Sequence, residues 1–250
     1  ENHLQTACCV LIDVTDRCNQ HCPYCFAKAE DAGNDMPLSE IERKYDLLLE
    51  LGEEREFNIQ LSGGEPTVRD DLPEIIRMGR DKGFEYIQIN TNGRRIAEEK
   101  GYAKKLKDAG VSVIYLQFDG TTDEIYMQMR NEPLLHTKLS AIENCRRAGL
   151  PVTLVPTIVK NINLDNIGEM MRFLIANRDV VKGIHFQPVS FFGRVPDKDY
   201  ENRVTMFDCM RAIEEQTDGL FKTGDLCPIT TGLTMWCFYG TYLREKDGSI

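Results

Sequence analysis

The feature that most constrains the fold is an alternation of strand-length apolar runs with amphipathic stretches of helical period, repeated six times. Repeated βα units predict a parallel sheet joined by helical crossovers. Six units favour a partial (β/α)6 TIM-like barrel over a closed eightfold one. The predicted strands cover residues 8–14, 57–62, 84–90, 111–118, 152–159 and 183–189, and the predicted helices cover residues 39–51, 71–82, 96–109, 134–148 and 163–176. Helix C-caps are predicted at Gly52, Gly83, Gly110 and Gly149.

Within these strands the side chains alternate between an apolar and a polar face. Successive residues of a strand point to opposite sides, so Val10, Ile12 and Val14 are predicted to pack against the helices, leaving the polar set inside the barrel. Barrel interiors are usually filled with branched apolar residues. A polar lining therefore predicts a ligand cavity, although each polar residue could instead hydrogen-bond a neighbour. The polar set comprises Asp13, Thr15, Asn58, Gln60, Ser62, Gln88, Asn90, Gln117, Asp119, His185 and Gln187.

The composition excludes several classes of function. The 250 residues carry a formal net charge of −10, which argues against a nucleic-acid or anionic-membrane partner. No run reaches the roughly 18 apolar residues of a transmembrane segment. Nine unevenly spaced cysteines predict metal or redox use in the cytoplasm rather than a disulfide scaffold. The chain opens with Glu1, and we expect a segment of a longer protein.

Cys18, Cys22 and Cys25 form a CxxxCxxC motif directly after the first strand. In a βα barrel this loop lies at the C-terminal face of the sheet, where active sites are found. Three thiolates can bind three irons of a [4Fe–4S] cluster, and because such a cluster usually takes four cysteines, one iron stays open to an exogenous ligand. A zinc site is the alternative, with His21 available as a fourth ligand.

The motif, with the aromatic Tyr24 before its last cysteine, resembles that of the radical S-adenosylmethionine (SAM) superfamily. The resemblance implies that SAM chelates the open iron, with Tyr24 beside it, and that electron transfer cleaves SAM to a 5′-deoxyadenosyl radical. The cofactors implied are one [4Fe–4S] cluster and SAM, whose chemistry the protein only orients. A flavodoxin- or ferredoxin-type electron donor is implied in the same way.

The end of the second strand agrees with this resemblance. It reads Ser62-Gly63-Gly64-Glu65-Pro66. Glycines let the backbone approach a ligand closely, and Glu65 can accept a hydrogen bond from an ammonium group. The segment is similar to the GGE motif of the family, which binds the SAM amino group.

Two further strand ends are similar to those that lie near SAM in the family. They supply Asn92, Gln117 and Asp119, and the resemblance places Asp119 at the ribose hydroxyls. Arg130 follows in the next helical stretch, where related enzymes hold an arginine for the SAM carboxylate. The alternatives are a turn for Asn92, a helix N-cap for Asp119 and a solvated side chain for Arg130.

The second half resembles a narrower group. His185-Phe186-Gln187-Pro188-Val189, Gly193-Arg194 and the segments 204–208 and 211–217 are together similar to the class D radical SAM methylases of methanopterin biosynthesis and the related archaeal tetraether-lipid synthase. This implies methylation of a pterin-like ring, or C–C coupling of lipid chains, near Gln187 and His185. A pterin needs polar partners, whereas alkyl chains need an apolar channel. A radical SAM peptide or cofactor maturase and a non-catalytic zinc- or cluster-binding module are the alternatives.

Cysteines near the C-terminus raise the question of a second cluster. By resemblance Cys227 and Cys237, with Cys209, are its candidate ligands, although the Pro-Cys-Pro-His-type run of the family is missing. A lone helical cysteine is otherwise a small core residue. We therefore expect a radical SAM partial barrel over residues 1–195 and a C-terminal extension over residues 196–250 that contributes the auxiliary metal site.

Overall fold

The computed structural model describes residues 9–27, 29–52, 57–196, 203–228 and 239–241. Its strands are β1 (Cys9–Thr15), β2 (Asn58–Gly63), β3 (Ile87–Thr91), β4 (Val113–Gln117), β5 (Val152–Val155), β6 (Thr157–Ile158), β7 (Val181–Ile184), β8 (Gln187–Pro188), β9 (Cys227–Pro228) and β10 (Tyr239–Gly240). Six of them form one parallel sheet in the order β1-β2-β3-β4-β5-β7. Because β1 and β7 are its two edges, the sheet is an open partial barrel, as the sequence predicts.

Helices connect these strands and cover one face of the sheet. They are α1 (Leu38–Leu51), α2 (Leu72–Asp81), α3 (Arg94–Glu98), α4 (Tyr102–Ala109), α5 (Asp123–Arg130), α6 (Leu135–Ala148), α7 (Ile167–Ala176) and α8 (Met206–Gln216). Gly110 and Gly149 end α4 and α6 in the left-handed conformation that favours glycine. The helical stretch predicted around Arg130 is α5.

Three predicted elements are each divided into two in the structure. The helix predicted over residues 96–109 is two helices, because Gly101 has a φ of 84° and starts α4 anew. The strands predicted over 152–159 and 183–189 are each two short strands. Pro156 lies at the break between β5 and β6 and has no N–H for the ladder. Beyond it β6 and β8 pair in parallel as a separate ribbon.

The two faces of the sheet differ as the alternation predicts. Ile12, Val14, Ile59 and Leu61 are buried in the main hydrophobic core. Burying one such side chain contributes about 1.5–3 kcal/mol. A one-residue slip of register would exchange this face for the polar one, so the apolar pattern holds the polar side chains inside the barrel.

Helix α8 docks on the barrel beside α7. It begins with a capping box, in which Thr205 and Asp208 each bond the backbone of the other. At its other end Gln216 accepts a hydrogen bond from the Gly168 backbone at 2.8 Å and donates one to the Leu164 carbonyl at 2.9 Å. Among the described residues, no helix is long and apolar enough to cross a membrane.

Candidate active site

A cavity of about 1270 Å³ opens at the C-terminal ends of the strands. The loop after β1, the end of β2 and the β7–β8 region all line it. Parallel strands direct their carboxyl ends to one edge, which is why these separate segments meet there. Of the predicted site residues, the cavity is lined by Cys18, Cys22, Tyr24, Cys25, Gly63, Gly64, Glu65, Asn92, Gln117, Arg130, His185, Gln187 and Cys209.

The loop that carries the three cysteines, residues 16–35, is held at both ends. Thr15 and Arg17 both bond the Asp35 carboxylate, the latter through a bidentate pair with contacts of 2.9 and 2.7 Å. Cys25 exchanges two backbone hydrogen bonds with Arg194, at 2.9 and 2.8 Å. The segment Gly193-Arg194 thus contacts the loop that carries the cysteines. Gly193 has a φ of 78°, and a Cβ there would meet the Cys25 and Phe26 carbonyls.

The three thiols share one environment. None of them is in a disulfide, and Cys22 is the most buried. Burial raises the pKa of Cys18 to about 12, and the charges of Glu65, Cys22 and Cys25 add to the rise. Mutual repulsion of this kind requires that the thiols lie near one another. Three adjacent thiols are the donor set that iron–sulfur clusters take, so the loop fits a [4Fe–4S] cluster.

The zinc alternative receives less support from the same loop. Among the residues that the structure describes, no three His, Cys, Asp or Glu side chains converge where they could hold one metal ion. His21 is exposed and lies 3.4 Å from the Asp31 carboxylate, as a solvated loop residue would.

The two glycines after β2 allow a close approach of the chain to itself. A Cβ on Gly63 would lie 2.1 Å from the Thr15 carbonyl oxygen, and one on Gly64 would lie 2.2 Å from that of Arg17. The Gly64 and Glu65 amides each donate at 2.8 Å to these same two carbonyls. The motif therefore fastens the cysteine loop to the end of β2, in addition to any contact with a ligand.

Glu65 is buried, and its carboxylate joins two strand ends. Oε1 accepts hydrogen bonds from the Thr67 amide at 3.0 Å, the Thr67 hydroxyl at 2.6 Å and the Thr91 hydroxyl at 2.7 Å. Within the described part of the chain, Oε2 accepts one hydrogen bond, from the Asn92 amide at 2.6 Å. A carboxylate oxygen has two lone pairs, so Oε2 keeps capacity for the ammonium group that the sequence predicts.

Glu65→Gln is expected to lower the free energy of unfolding by about 1–3 kcal/mol. An amide nitrogen cannot accept, so one of the donors from Thr67, Thr91 or Asn92 loses its partner. Urea denaturation measures the loss. Glu74→Gln, at an exposed position of α2, is the matched control and should change stability by less than about 0.5 kcal/mol. Equal stabilities of the two variants would contradict this account of Glu65.

Asp119 and Arg130 form a buried bidentate ion pair, with contacts of 2.7 and 2.8 Å. Burial alone would raise the pKa of Asp119, but the Arg130 charge holds it below its usual value. Arg130 Nη1 donates to the Tyr24 carbonyl at 2.7 Å, so the pair supports the cysteine loop. The alternatives of a solvated arginine and an N-cap aspartate are wrong, since Arg130 is 6% exposed and Thr122, not Asp119, occupies the N-cap position of α5. Asp119 lies behind Arg130, and its contact with the SAM ribose stays a prediction.

Lys138 is a buried residue next to the candidate site that the sequence reasoning missed. It is fully buried on α6, where Nζ donates to the Asn92 carbonyl at 2.6 Å and to Gln117 Oε1 at 3.0 Å. Burial lowers its pKa to about 7. The available signal was its position: Lys138 shares the buried stripe of α6 with Ala141, Ile142 and Cys145. A lysine at such spacing is seldom buried without a polar partner.

The polar side chains of the strands both bond one another and line the cavity. Gln60 donates to Asn90 at 2.6 Å and accepts from Gln88 at 2.7 Å, and Asn90 donates to Ser62 at 3.2 Å. Gln60, Ser62 and Asn90 nevertheless face the cavity. Burial lowers the pKa of His185, which keeps the imidazole neutral near pH 7. The predicted polar lining is thus confirmed in part. Gln60, Ser62, Asn90, Gln117, His185 and Gln187 line the cavity, whereas Asp13, Thr15, Asn58, Gln88 and Asp119 are not among its lining residues.

The structure says little about the three candidate ligands of a second cluster. Cys209 is buried on α8, and burial raises its pKa to about 12, as for a core cysteine. Cys227 is exposed on β9. Cys237 lies outside the described residues. The second cluster therefore stays a prediction.

Comparison with known proteins agrees with this geometry. The model of the Radical SAM superfamily matches residues 12–174. A 7,8-dihydro-6-hydroxymethylpterin dimethyltransferase of Methanocaldococcus jannaschii is 45% identical over 236 residues, which are 91% of this chain and 46% of the relative. The chain thus spans about half the length of that relative.

Solved structures agree in fold. Streptococcus suis SuiB bound to its precursor peptide SuiA superposes with a TM-score of 0.69 and 18% identity, covering 86% of this chain and 46% of SuiB. SuiB bound to S-adenosylmethionine superposes with a TM-score of 0.65 and 17% identity, covering 86% of this chain and 48% of SuiB. At this identity the likeness concerns the fold alone.

Proposed function

Because this chain belongs to the radical SAM superfamily, we propose that it is the catalytic core of an enzyme that methylates a pterin-like substrate. The family implies a [4Fe–4S] cluster and SAM as cofactors. When bound, they supply an adenosyl radical that removes a hydrogen atom from a C–H bond. The protein's own part is to hold, orient and shield the reactants.

One observation carries the proposal: the three thiols and the polar side chains of the strands line the same cavity. A radical formed at the loop would therefore arise facing a surface of amides and hydroxyls. A pterin ring carries hydrogen-bond donors and acceptors around its edge, which Gln60, Asn90 and Gln187 can match. The pterin named for the 45% identical relative agrees with this chemistry.

We assign roles to individual residues from their positions. Cys18, Cys22 and Cys25 hold three irons, and Glu65 Oε2 receives the SAM ammonium group. The Asp119–Arg130 pair orients the cysteine loop through the Tyr24 carbonyl. His185 and Gln187 face the substrate, where a neutral imidazole can donate or accept one hydrogen bond.

A second outcome, C–C coupling of lipid chains, has one observation in its favour. The cavity wall formed by α7 and α8 is apolar and includes Met171, Leu174, Met210 and Ile213. An alkyl chain would bury favourably there. We place this outcome second because the relative that is 45% identical is named for a pterin substrate.

The proposal also covers the domain organisation, the electron donor and the cellular compartment. We assign residues 1–195 to the barrel and residues 196–250 to an extension, whose helix α8 lines one side of the cavity. Each turnover consumes an electron, so a flavodoxin- or ferredoxin-type donor is the expected partner. Thiols outside disulfides suit the reducing cytoplasm.

The test is deoxyadenosine formation. The chain is reconstituted anaerobically with iron and sulfide, reduced with dithionite and given SAM, and 5′-deoxyadenosine is followed by mass spectrometry. We expect product from the parent and loss of at least about 100-fold when Cys18, Cys22 and Cys25 are all changed to Ala, since no cluster then binds. Cys145→Ala, a buried cysteine on α6, is the matched control and should retain the cluster.

Substrate identity is tested with deuterated candidates. Transfer of deuterium into deoxyadenosine from labelled 7,8-dihydro-6-hydroxymethylpterin would support the pterin proposal. Transfer only from labelled isoprenoid lipids would favour coupling of lipid chains instead. A colourless protein holding zinc at the three cysteines would contradict the whole proposal.

A further inference from the structure

Gln20 lies between two of the cysteines and has an unsatisfied donor. The side chain is 4% exposed and lines the cavity. Its Oε1 lies 3.6 Å from Cys22 Sγ and accepts the thiol hydrogen. Its Nε2 is buried without a hydrogen-bond partner in the described structure. A buried amide N–H left unpaired is unfavourable, so Gln20 is poorly satisfied in this orientation of its amide.

The protonation state of Cys22 explains why Gln20 Nε2 has no hydrogen-bond partner. As an iron ligand Cys22 is a thiolate, which has no hydrogen to donate and can only accept. The present contact would then set Gln20 Oε1 against an anion. A half-turn of the terminal amide exchanges its oxygen and nitrogen in nearly the same space, and Nε2 then faces the sulfur.

We propose that Gln20 donates its side-chain N–H to a sulfur of the bound [4Fe–4S] cluster and thereby raises the cluster's reduction potential. The sulfur is either the Cys22 thiolate or a sulfide beside it. This inference rests on the proposed function, because it requires the cluster to bind.

The direction follows from electrostatics. Reduction adds one electron from an external donor to the cluster, while the Gln20 proton stays on its nitrogen and no covalent bond changes. The N–H dipole stabilises the more negative, reduced cluster more than the oxidised one, and hydrogen bonds to sulfur are a recognised control of such potentials. The effect is large only where water is excluded, and Gln20 is buried.

The test is a redox titration of the reconstituted chain followed by electron paramagnetic resonance. Gln20→Met keeps the length of the side chain and removes the donor, and its midpoint potential should be more negative than that of the parent. Gln20→Glu sets a carboxylate beside the anionic cluster and should lower the potential further. Gln216→Met removes a partly buried amide on α8 and should leave the potential unchanged.

A second measurement keeps the inference testable if a variant does not load iron. The parent, labelled with ¹⁵N in the side-chain amide of glutamine, is reduced, and hyperfine coupling to that nitrogen is sought by pulsed resonance. We expect a coupling. Its absence, or a Gln20→Met potential equal to that of the parent at equal iron content, would overturn the role of Gln20. A parent that binds no cluster would instead refute the proposed function, and this inference with it.

Discussion

Arg130→Met is expected to lower the free energy of unfolding by about 3–5 kcal/mol. Asp119 is fully buried and would lose its counter-charge, because both of its carboxylate oxygens bond Arg130. The Tyr24 carbonyl would lose its donor as well. Urea denaturation measures the loss, and cluster content after reconstitution should fall with it, because the cysteine loop is no longer held.

A double-mutant cycle separates the ion pair from other effects of the substitution. Asp119→Leu combined with Arg130→Met removes both charges, so the double variant should be no less stable than the worse single variant. The coupling energy should then exceed about 2 kcal/mol. Arg43→Met, which breaks an exposed pair with Glu40, is the matched control and should leave the stability nearly unchanged. Additive losses in the cycle would show that Asp119 is stabilised by other groups.

Lys138→Met is expected to change how stability depends on pH. Burial lowers the pKa of Lys138 to about 7 from its ordinary 10.5. Between these two values the unfolded chain binds more protons than the folded one, so the free energy of unfolding of the parent rises with pH. The slope approaches about 1.4 kcal/mol per pH unit. Relative to the variant, the iron-free parent should gain about 2–3 kcal/mol between pH 7.5 and pH 9.5.

The comparison between parent and variant removes competing titrations. Burial raises the pKa of Cys18, Cys145 and Cys209 to about 12, and these thiols make the folded state less stable as the pH rises above 9. They are present in both proteins and cancel in the difference. Unfolding curves at four pH values measure the slopes. Equal slopes would mean that Lys138 keeps an ordinary pKa, and hence that water reaches it.

Lys138 and Arg130 belong to one buried polar network. Lys138 bonds the Asn92 carbonyl and Gln117, Gln117 bonds Asp119, and Asp119 bonds Arg130. The network thus runs from the end of β3 to the cysteine loop. Buried polar networks are rigid when all members are satisfied, and a loop that must present three thiols in one geometry benefits from such support.

Much of the fold follows from local patterns. Period-2 alternation in the strands determines which face is buried, because a side chain cannot change faces without a shift of register. The order of six parallel strands follows from the repeated βα units. The sequence predicted one continuous helix across Gly101 and one continuous strand across Pro156, and both are interrupted in the structure. At these positions the backbone conformation of a single residue outweighs the periodicity of its neighbours.

The candidate site residues likewise fall into two groups: those that the sequence predicted, and those whose burial and contacts only the structure shows. The sequence by itself determined the three cysteines, the GGE segment and the polar strand ends, because closely spaced residues on one loop or strand end stay together in any fold. Only the tertiary structure showed that Lys138, Arg130 and Gln20 are buried, and what each of them contacts. Burial and pairing depend on segments far apart in the chain, such as Arg130 and Tyr24, which are 106 residues apart. No local pattern of residues specifies such a contact, because it arises only when the strand ends converge on one cavity.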